Sequence, residues 1–298
     1  MYTLVEFVKT TRDPLLSGYV ETMYLEESFM QYLPFRSIAG LALLFSRENA
    51  LPSVNFRKLN AAFAESTGTL ERVVEALRPF GGDSDTDKVL VDAYGNTERV
   101  ARDQMHAKAM AVKFMEYFLY GNSGTKTGSA YDNVDGFDGV LAVIEAAQKV
   151  DGSGTTGSDG SSVFGFRFGP GFIQGLQTAV GLSVRNLGEL QTKPAFRTRV
   201  DWTSGWAAYN KAAMGVIYDL TVAAKCSPAE MDQLQDKIPG GPDIYVMSKR
   251  SRRQLKEEAY TKGVMLENSI DAMGRPVPAW GGAPIVTSDA IIDDEAVA

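Results

Sequence analysis

The longest periodic segment of the chain runs from Thr97 to Tyr120 and predicts an amphipathic α-helix. Asn96 or Thr97 can cap its start and Gly121 can end it. At 1.5 Å per residue, about 24 residues span about 36 Å, so this helix could serve as a structural spine. Its apolar residues recur at helical spacing on one face, which predicts the packing set Val100, Ala107, Ala111, Phe114 and Phe118.

Between residues 37 and 92 the apolar positions alternate with polar ones, a pattern typical of strands. Strands are predicted at Val54–Leu59, at Val73–Leu77 and in "DKVLVDAY", with turn-forming residues between them. A two-stranded excursion is marginally stable alone, so we expect this one to lie on a neighbouring molecule. The residues predicted to make that intersubunit contact are Val54, Phe56, Leu59, Val73 and Leu77.

The two ends of the chain differ in pattern. Apolar residues from Val20 to Met30 recur at helical spacing up to Pro34, which predicts an arm that packs on something else. Beyond residue 162 strand-like segments dominate, with helices predicted in "PAEMDQLQDKI" and after "PDIYVMS". This irregular mixture, with antiparallel signals, indicates an α+β fold. "DGSGTTGSDGSS", residues 151–162, has no large apolar side chain and predicts a flexible loop.

Composition narrows the classes of function. The 298 residues are 44% hydrophobic and 22% charged, as in ordinary globular proteins. A net charge of −7 argues against binding driven by phosphate contacts. Cys226 is the single cysteine, so neither an intramolecular disulfide nor a cysteine zinc cluster can form. No apolar run approaches the roughly 20 residues of a membrane span, and the start lacks a signal-peptide core; we expect a cytoplasmic protein with no membrane partner.

Candidate chemistry is sparse, and we predict no catalytic, cofactor-binding or metal-ligating residues. His106, the single histidine, lies in the predicted spine helix, where a structural role is favoured over catalysis. "GNSGTKTGS" has the wrong spacing for a phosphate-binding loop. "FGPGFIQGLQ" predicts a sharp bend between strands. "SKRSRRQLKEE" is basic, yet the acids that follow favour a solvated or subunit-facing helix over a nucleic-acid patch.

Many segments together resemble the major capsid proteins of tailed bacteriophages, which have the Hong Kong phage capsid fold. They include "DPLLSGYVETMYLEESFMQYLPF", "IAGLALLFSRENALPSVNFRKLNAAF", the spine helix with "YGNSG…FDGV", "SSVFGFRFG…GLSVRNLGEL…KPAFRTRVDWTSGWAAYNKAAMGVIYDL", "PGGPDIYVMSKRSRRQLKEEA" and "GRPVPAWGGAPIVTSDAI". The resemblance covers nearly the whole chain, and its specificity lies in the combination of segments.

The resemblance implies a division of the chain into an extended arm, an extended loop and two domains. In order, these are the N-arm at 1–35, the E-loop at 36–82, the peripheral P-domain with its spine helix at 83–125, a first A-domain part at 126–180, P-domain strands at 181–224, and a second A-domain part at 225–298. The E-loop would lie over a neighbouring subunit and the A-domain near the centre of a hexamer or pentamer.

The order of two blocks differs from the order expected for that family. There, the block from "PGGPDIYV" to "PIVTSDAI" would follow "FDGV" directly, and the block from "SSVFGFRFG" to "VIYDL" would close the chain. Either the protein is a circular permutant or this order is not the native one. Permutation predicts that Val150 lies near Ser227, that Ala298 lies near the loop before Val163, and that strain gathers at Ala224–Lys225.

The leading hypothesis is therefore a structural protein, a major capsid subunit of a tailed phage that assembles into an icosahedral shell around double-stranded DNA. Its expected partners are further copies of itself, scaffolding, portal and decoration proteins, and non-specifically the packaged DNA. It would assemble in the host cytoplasm and reside in the virion capsid. The alternatives are an encapsulin-type nanocompartment shell protein and, from another class, a soluble enzyme that uses His106.

Overall fold

The computed structural model describes residues 2–3, 18–23, 27–123, 133, 135–154, 159–187, 195–270 and 276–295. Residues 18–23 are helical, and a 3-10 helix follows at Ser28–Gln31. Strand β1 (Tyr2–Thr3) precedes them. After them, the first half of the chain contributes β2 (Pro34–Ser37), β3 (Ala42–Ala50), β4 (Thr69–Ala76), β5 (Arg78–Asp87), α1 (Lys88–Tyr94) and α2 (Thr97–Tyr120).

The second half is richer in strands, and short 3-10 helices occur at Ala146–Gln148 and Lys211–Ala213. Its elements are α3 (Val140–Val143), β6 (Lys149–Asp151), β7 (Ser161–Phe166), β8 (Ile173–Leu187), β9 (Ala195–Ala208), β10 (Met214–Leu220), α4 (Pro228–Lys237), β11 (Ile244–Met247), α5 (Lys249–Thr261), β12 (Glu267–Ile270), β13 (Pro276–Trp280) and β14 (Ala283–Thr287).

The strands form three sheets in the described part of the chain. One has the order β1-β2-β8-β9-β5, the second the order β12-β13-β14-β11-β7-β10-β6, and the third is the pair β3-β4. Parallel and antiparallel neighbours are mixed: β2 runs parallel to β8, whereas β8 and β9 pair antiparallel. Helices and mixed sheets together confirm the predicted α+β class.

The spine helix α2 has the predicted bounds, and its buried face joins the two larger sheets. The Phe118 ring lies 5.6 Å from Phe166 on β7 and 5.2 Å from Trp206 on β9. Phe29, from the N-terminal region, completes this aromatic core at 5.4 Å from Phe118. Val100, however, is 39% exposed, so its predicted place on the packing face is wrong. The helix begins to pack against the sheets only further along.

Two predicted strands are wrong. Residues 87–94, "DKVLVDAY", form the helix α1, because Asp87 caps it: its carboxylate accepts a hydrogen bond from the Val89 amide at 2.9 Å. Val54–Leu59 alternates as a strand would, yet none of residues 51–68, all described by the structure, is in a strand. Alternation does not form a strand where no other strand is available to pair with it.

The joints at which a permutation would act have ordinary geometry. Val150 pairs with Ile217 and shares a core cluster with Cys226 and Met231 at the start of α4, as the permutation hypothesis expected. Glu295 pairs with Gly160, so the last described residues lie beside the loop before β7; Ala298 is outside the described residues. The Ala224 carbonyl accepts a hydrogen bond from the Thr221 amide at 2.9 Å, so the connection to Lys225 leaves from a closed turn.

Candidate intersubunit surface

Residues 42–76, here called the hairpin arm, form a separate two-stranded sheet that carries an exposed apolar surface. β3 and β4 pair antiparallel from Ala42–Ala76 to Ala50–Thr69, and the loop 51–68 joins them. Val54, Phe56 and Leu59 are 91%, 107% and 96% exposed, as expected of contact residues that lack a partner in their own chain. The other exposed apolar side chains of the arm, which the prediction omitted, are Leu44, Leu51, Phe63, Leu70 and Val74.

The other two predicted contact residues lie closer to the body of the subunit. Val73 is partly buried. Leu77 is 3% exposed and packs in a small cluster with Leu176 and Ala207, so the prediction that it touches a neighbouring subunit is wrong. The chain turns back into the body at this point, which gives Leu77 partners of its own.

The predicted spine-packing residues are brought together. Ala107, Ala111, Phe114 and Phe118 are all buried within one core cluster. The Phe114 ring lies 4.9 Å from Trp202 of β9, which is also buried. The two alanines precede these phenylalanines on the same helix face, and their small size allows the sheet to approach closely.

His106 lies beside a shallow pocket but has no catalytic setting. Its Nδ1 is 3.0 Å from the Tyr19 hydroxyl, and a side chain on Gly82 would collide with its Nε2. The pocket also contains Asp83 and Asp85, which accept paired hydrogen bonds from Arg199 and Arg197. These hydrogen bonds hold the pKa of both carboxyls below the usual range. Both acids are thus engaged by arginines and poorly suited to accept a proton.

Several basic side chains of helix α5 form ion pairs and hydrogen bonds within their own chain. Lys249 pairs with Asp289, and Arg250 pairs with Asp293 and donates to the Asp159 carbonyl. Arg253 lies 3.8 Å from Glu257. This internal pairing agrees with a solvated or subunit-facing helix rather than a nucleic-acid patch.

Of the remaining candidate motifs, the described residues show a buried cysteine and a glycine-rich bend. Burial raises the pKa of the Cys226 thiol, which opposes thiolate formation. Phe168–Gln177 includes the predicted bend, where Gly169 and Gly171 adopt positive φ. Most of "GNSGTKTGS" lies outside the described residues. Among the residues described, no group of three or more histidine, cysteine or acidic side chains could hold a metal, and no helix is long and apolar enough to cross a membrane.

The segment after β14 is attached to the core through a partly buried carboxylate. Glu295 accepts hydrogen bonds from the Tyr120 hydroxyl at 2.5 Å and from the Ser162 hydroxyl at 2.6 Å. Tyr120 ends the spine helix and Ser162 belongs to β7. Burial raises the pKa of Glu295, the two hydrogen bonds oppose that rise, and nearby Asp219 and Asp293 add to it.

This carboxylate should make subunit stability depend on pH. A folded-state pKa above the unfolded value means that the contribution is present below the unfolded pKa and lost as pH rises through the folded pKa. Glu295→Gln stays neutral, so its unfolding free energy should fall less than that of the native chain between acidic and neutral pH. Denaturant titrations at several pH values measure this. Exposed Glu65→Gln is the control, and identical pH profiles for the native chain and Glu295→Gln would contradict the expectation.

Solved structures with the same fold identify the class of protein. A chain of the near-atomic-resolution structure of bacteriophage Epsilon15 matches with a TM-score of 0.57 and 14% identity, covering 89% of this chain and 87% of that one. The bacteriophage JBD30 capsid matches with a TM-score of 0.51 and 10% identity, covering 90% of each. The SrpI encapsulin of Synechococcus elongatus gives a TM-score of 0.43 at 12% identity, covering 72% and 90%. The first two matches, with TM-scores above 0.5, show that the chain has the Hong Kong phage capsid fold.

The model of the family described as "Major capsid protein GP7" matches residues 47–298. The chain belongs to this family of phage major capsid proteins. It is accordingly a structural shell protein of a phage virion that acts as an oligomer, and not an enzyme. The match spans the two blocks of the C-terminal half in the order in which this chain has them. It therefore gives no support to the hypothesis that the two blocks are exchanged relative to this family. A search of curated protein sequences finds no match.

Proposed function

We propose that the chain forms the hexamers and pentamers of an icosahedral shell around phage double-stranded DNA, and that its hairpin arm lies over a neighbouring subunit. The observation that carries the proposal is the exposure of apolar side chains along the arm. Residues 50–72 are all exposed in the isolated subunit, and they include Leu51, Val54, Phe56, Leu59 and Phe63. A contiguous apolar surface on a lone hairpin marks an interaction site.

Closed symmetric assembly accounts for such a surface. In a ring of identical subunits, each arm lies on the next subunit. The exposed apolar area of every arm is therefore buried against another copy of the same chain, and no second kind of protein is needed. The arm carries Arg57 and Lys58 beside its apolar residues, whereas the whole chain has a net charge of −7. Attraction between this basic tip and an acidic neighbour would add to the burial of apolar area.

The domain roles follow from the same proposal. The N-arm, E-loop, P-domain and A-domain would occupy 1–35, 36–82, 83–125 with 181–224, and 126–180 with 225–298. Scaffolding, portal and decoration proteins would be transient or minor partners, and packaged DNA would be touched without sequence preference. Assembly would take place in the host cytoplasm. DNA inside native shells would distinguish this role from a cargo-enclosing compartment.

Polar substitution of the arm should abolish assembly without unfolding the subunit. In the triple variant Val54→Ser, Phe56→Ser and Leu59→Ser, we expect no shells by sedimentation and negative-stain microscopy. Because these side chains touch little of their own chain, the unfolding free energy should change by no more than about 0.5 kcal/mol per site. The matched control Val54→Ile, Phe56→Leu and Leu59→Met keeps the apolar area and should still assemble.

Two results would contradict the proposal. One is normal shell formation by the serine variant. The other is hydrogen exchange in the isolated subunit that protects amides of residues 50–68 as strongly as those of the spine helix, since an arm without a partner should exchange fast.

A further inference from the structure

The hairpin arm leaves the body of the subunit at a sharply defined place. On β3 the side chains of Leu43 and Phe45 are partly buried and that of Arg47 is 7% exposed, whereas Leu44, Ser46 and Glu48 on the other face are more open. On β4, Val73 and Glu75 are partly buried, and residues 69–72 are exposed. Arg47 and Glu71 are opposite each other in the register, so this pair marks the boundary between the docked and the free parts of the arm.

Arg47 fastens that boundary to the end of strand β9. Its Nε and Nη2 both donate to the carbonyl oxygen of Ala208, at 3.1 and 2.6 Å. Nη1 lies 3.9 Å from the Glu71 carboxylate on the partner strand. The planar guanidinium fork fixes direction as well as distance, which a single ammonium donor cannot do.

Aromatic side chains also hold the Arg47 guanidinium in its orientation toward Ala208. The guanidinium carbon lies 5.7 Å from the centre of the Phe45 ring, and that ring lies 4.5 Å from Tyr209, directly after Ala208. The Tyr209 hydroxyl in turn accepts from Arg36 at 3.2 Å. The residues that root the arm are thus clustered at the end of β9 and beside β2.

Two acidic residues near the root of the arm, Glu75 and Asp138, interact electrostatically with each other, and Glu75 also interacts with Arg47. Burial raises the pKa of Glu75, the positive charge of Arg47 opposes that rise, and Asp138 adds to it. Removing Arg47 would therefore leave Glu75 beside Asp138 without the compensating charge. The guanidinium supplies both the hydrogen bonds and the balancing charge at the point where the arm separates from the body.

We infer that Arg47 is a positioning residue that sets the direction in which the hairpin arm projects from the subunit. Below Arg47 the arm is held by side-chain packing on the body, and beyond it the side chains of residues 50–70 are exposed. A two-stranded ribbon without further support bends easily. Without the fork to Ala208, the free part would swing about the boundary at Arg47 and Glu71. The inference concerns the isolated subunit and does not depend on the proposed shell.

A pair of spin labels can measure this swing. Exposed Leu70→Cys, next to Glu71 on the free part, and exposed Ala109→Cys on the spine helix give the two sites; Cys226 is buried and should not react. In the native background we expect a narrow distance distribution. Arg47→Met, which keeps the stem but removes the fork, should broaden and shift it. Arg57→Met, an exposed arginine within the free loop, is the matched control and should leave the distribution unchanged.

A second measurement covers the case in which Arg47→Met folds poorly. Arg47→Lys keeps the charge but offers one donor group, and should give intermediate broadening. Hydrogen exchange of residues 44–48 and 70–74 should be about tenfold faster in either variant, because bonds from charged donors are among the stronger ones. A folded variant with native width and native exchange would overturn the inference.

Discussion

Phe118→Ala should lower the free energy of unfolding of the subunit by about 3–5 kcal/mol, the range for removing a buried aromatic ring. Phe118 is fully buried and lies within 5.6 Å, centre to centre, of Phe29, Phe166 and Trp206. These three rings come from the N-terminal region and from both larger sheets. The cavity would therefore open where separate parts of the fold meet, and neighbours held by two sheets could collapse into it only partly.

Denaturant unfolding of the isolated subunit measures this effect, and the same chemical change elsewhere on the chain provides the control. Phe56→Ala removes an equally large ring from a fully exposed position of the hairpin arm, so it should change subunit stability by less than about 0.5 kcal/mol. A loss below about 1 kcal/mol for Phe118→Ala would mean that the described aromatic core does not hold the two sheets together.

Ala111→Phe should destabilise the subunit by about 1–3 kcal/mol through overpacking. Ala111 is fully buried on the face that it shares with Phe114 and Phe118, so a phenyl ring has no room there without moving the sheet. Assembly should suffer as well, because any shift of the helix is passed to the sheets packed on it. Ala109→Phe adds the same ring two residues earlier at an exposed position and is the matched control. Equal melting temperatures for the two variants would show that the face at Ala111 can expand freely.

The spine helix could be predicted to the residue from its length, its periodicity and the glycine that ends it, although Asn96 makes no side-chain capping hydrogen bond at its start. A single signal does not decide between a strand and a helix, nor between a buried and an exposed helix face. Residues 87–94 alternate like a strand, but the Asp87 cap turns them into a helix. Val100 has helical spacing, yet it remains 39% exposed. Periodicity alone does not say where along a helix the neighbouring sheet begins.

The hairpin arm shows which contact residues can be predicted from the sequence and which cannot. The apolar residues of the loop could be predicted as exposed because they lie in a segment without a local partner. Leu77 could not be separated from them, since its burial depends on Leu176 and Ala207, about a hundred and more positions further along the chain. Arg47 carried no signal at all, because its role depends on the backbone carbonyl of Ala208.

The pairing of distant strands has a consequence for synthesis of the protein. Phe35 of β2 pairs with Gly175 of β8, and β5 pairs with residues 195–204 of β9. A ribosome that has made only the first 160 residues has produced the spine helix but neither of the long central strands on which it packs. We therefore expect the nascent chain to keep its aromatic helix face exposed until β9 has emerged, so that folding is late and slow, and aggregation of unfinished chains competes with it.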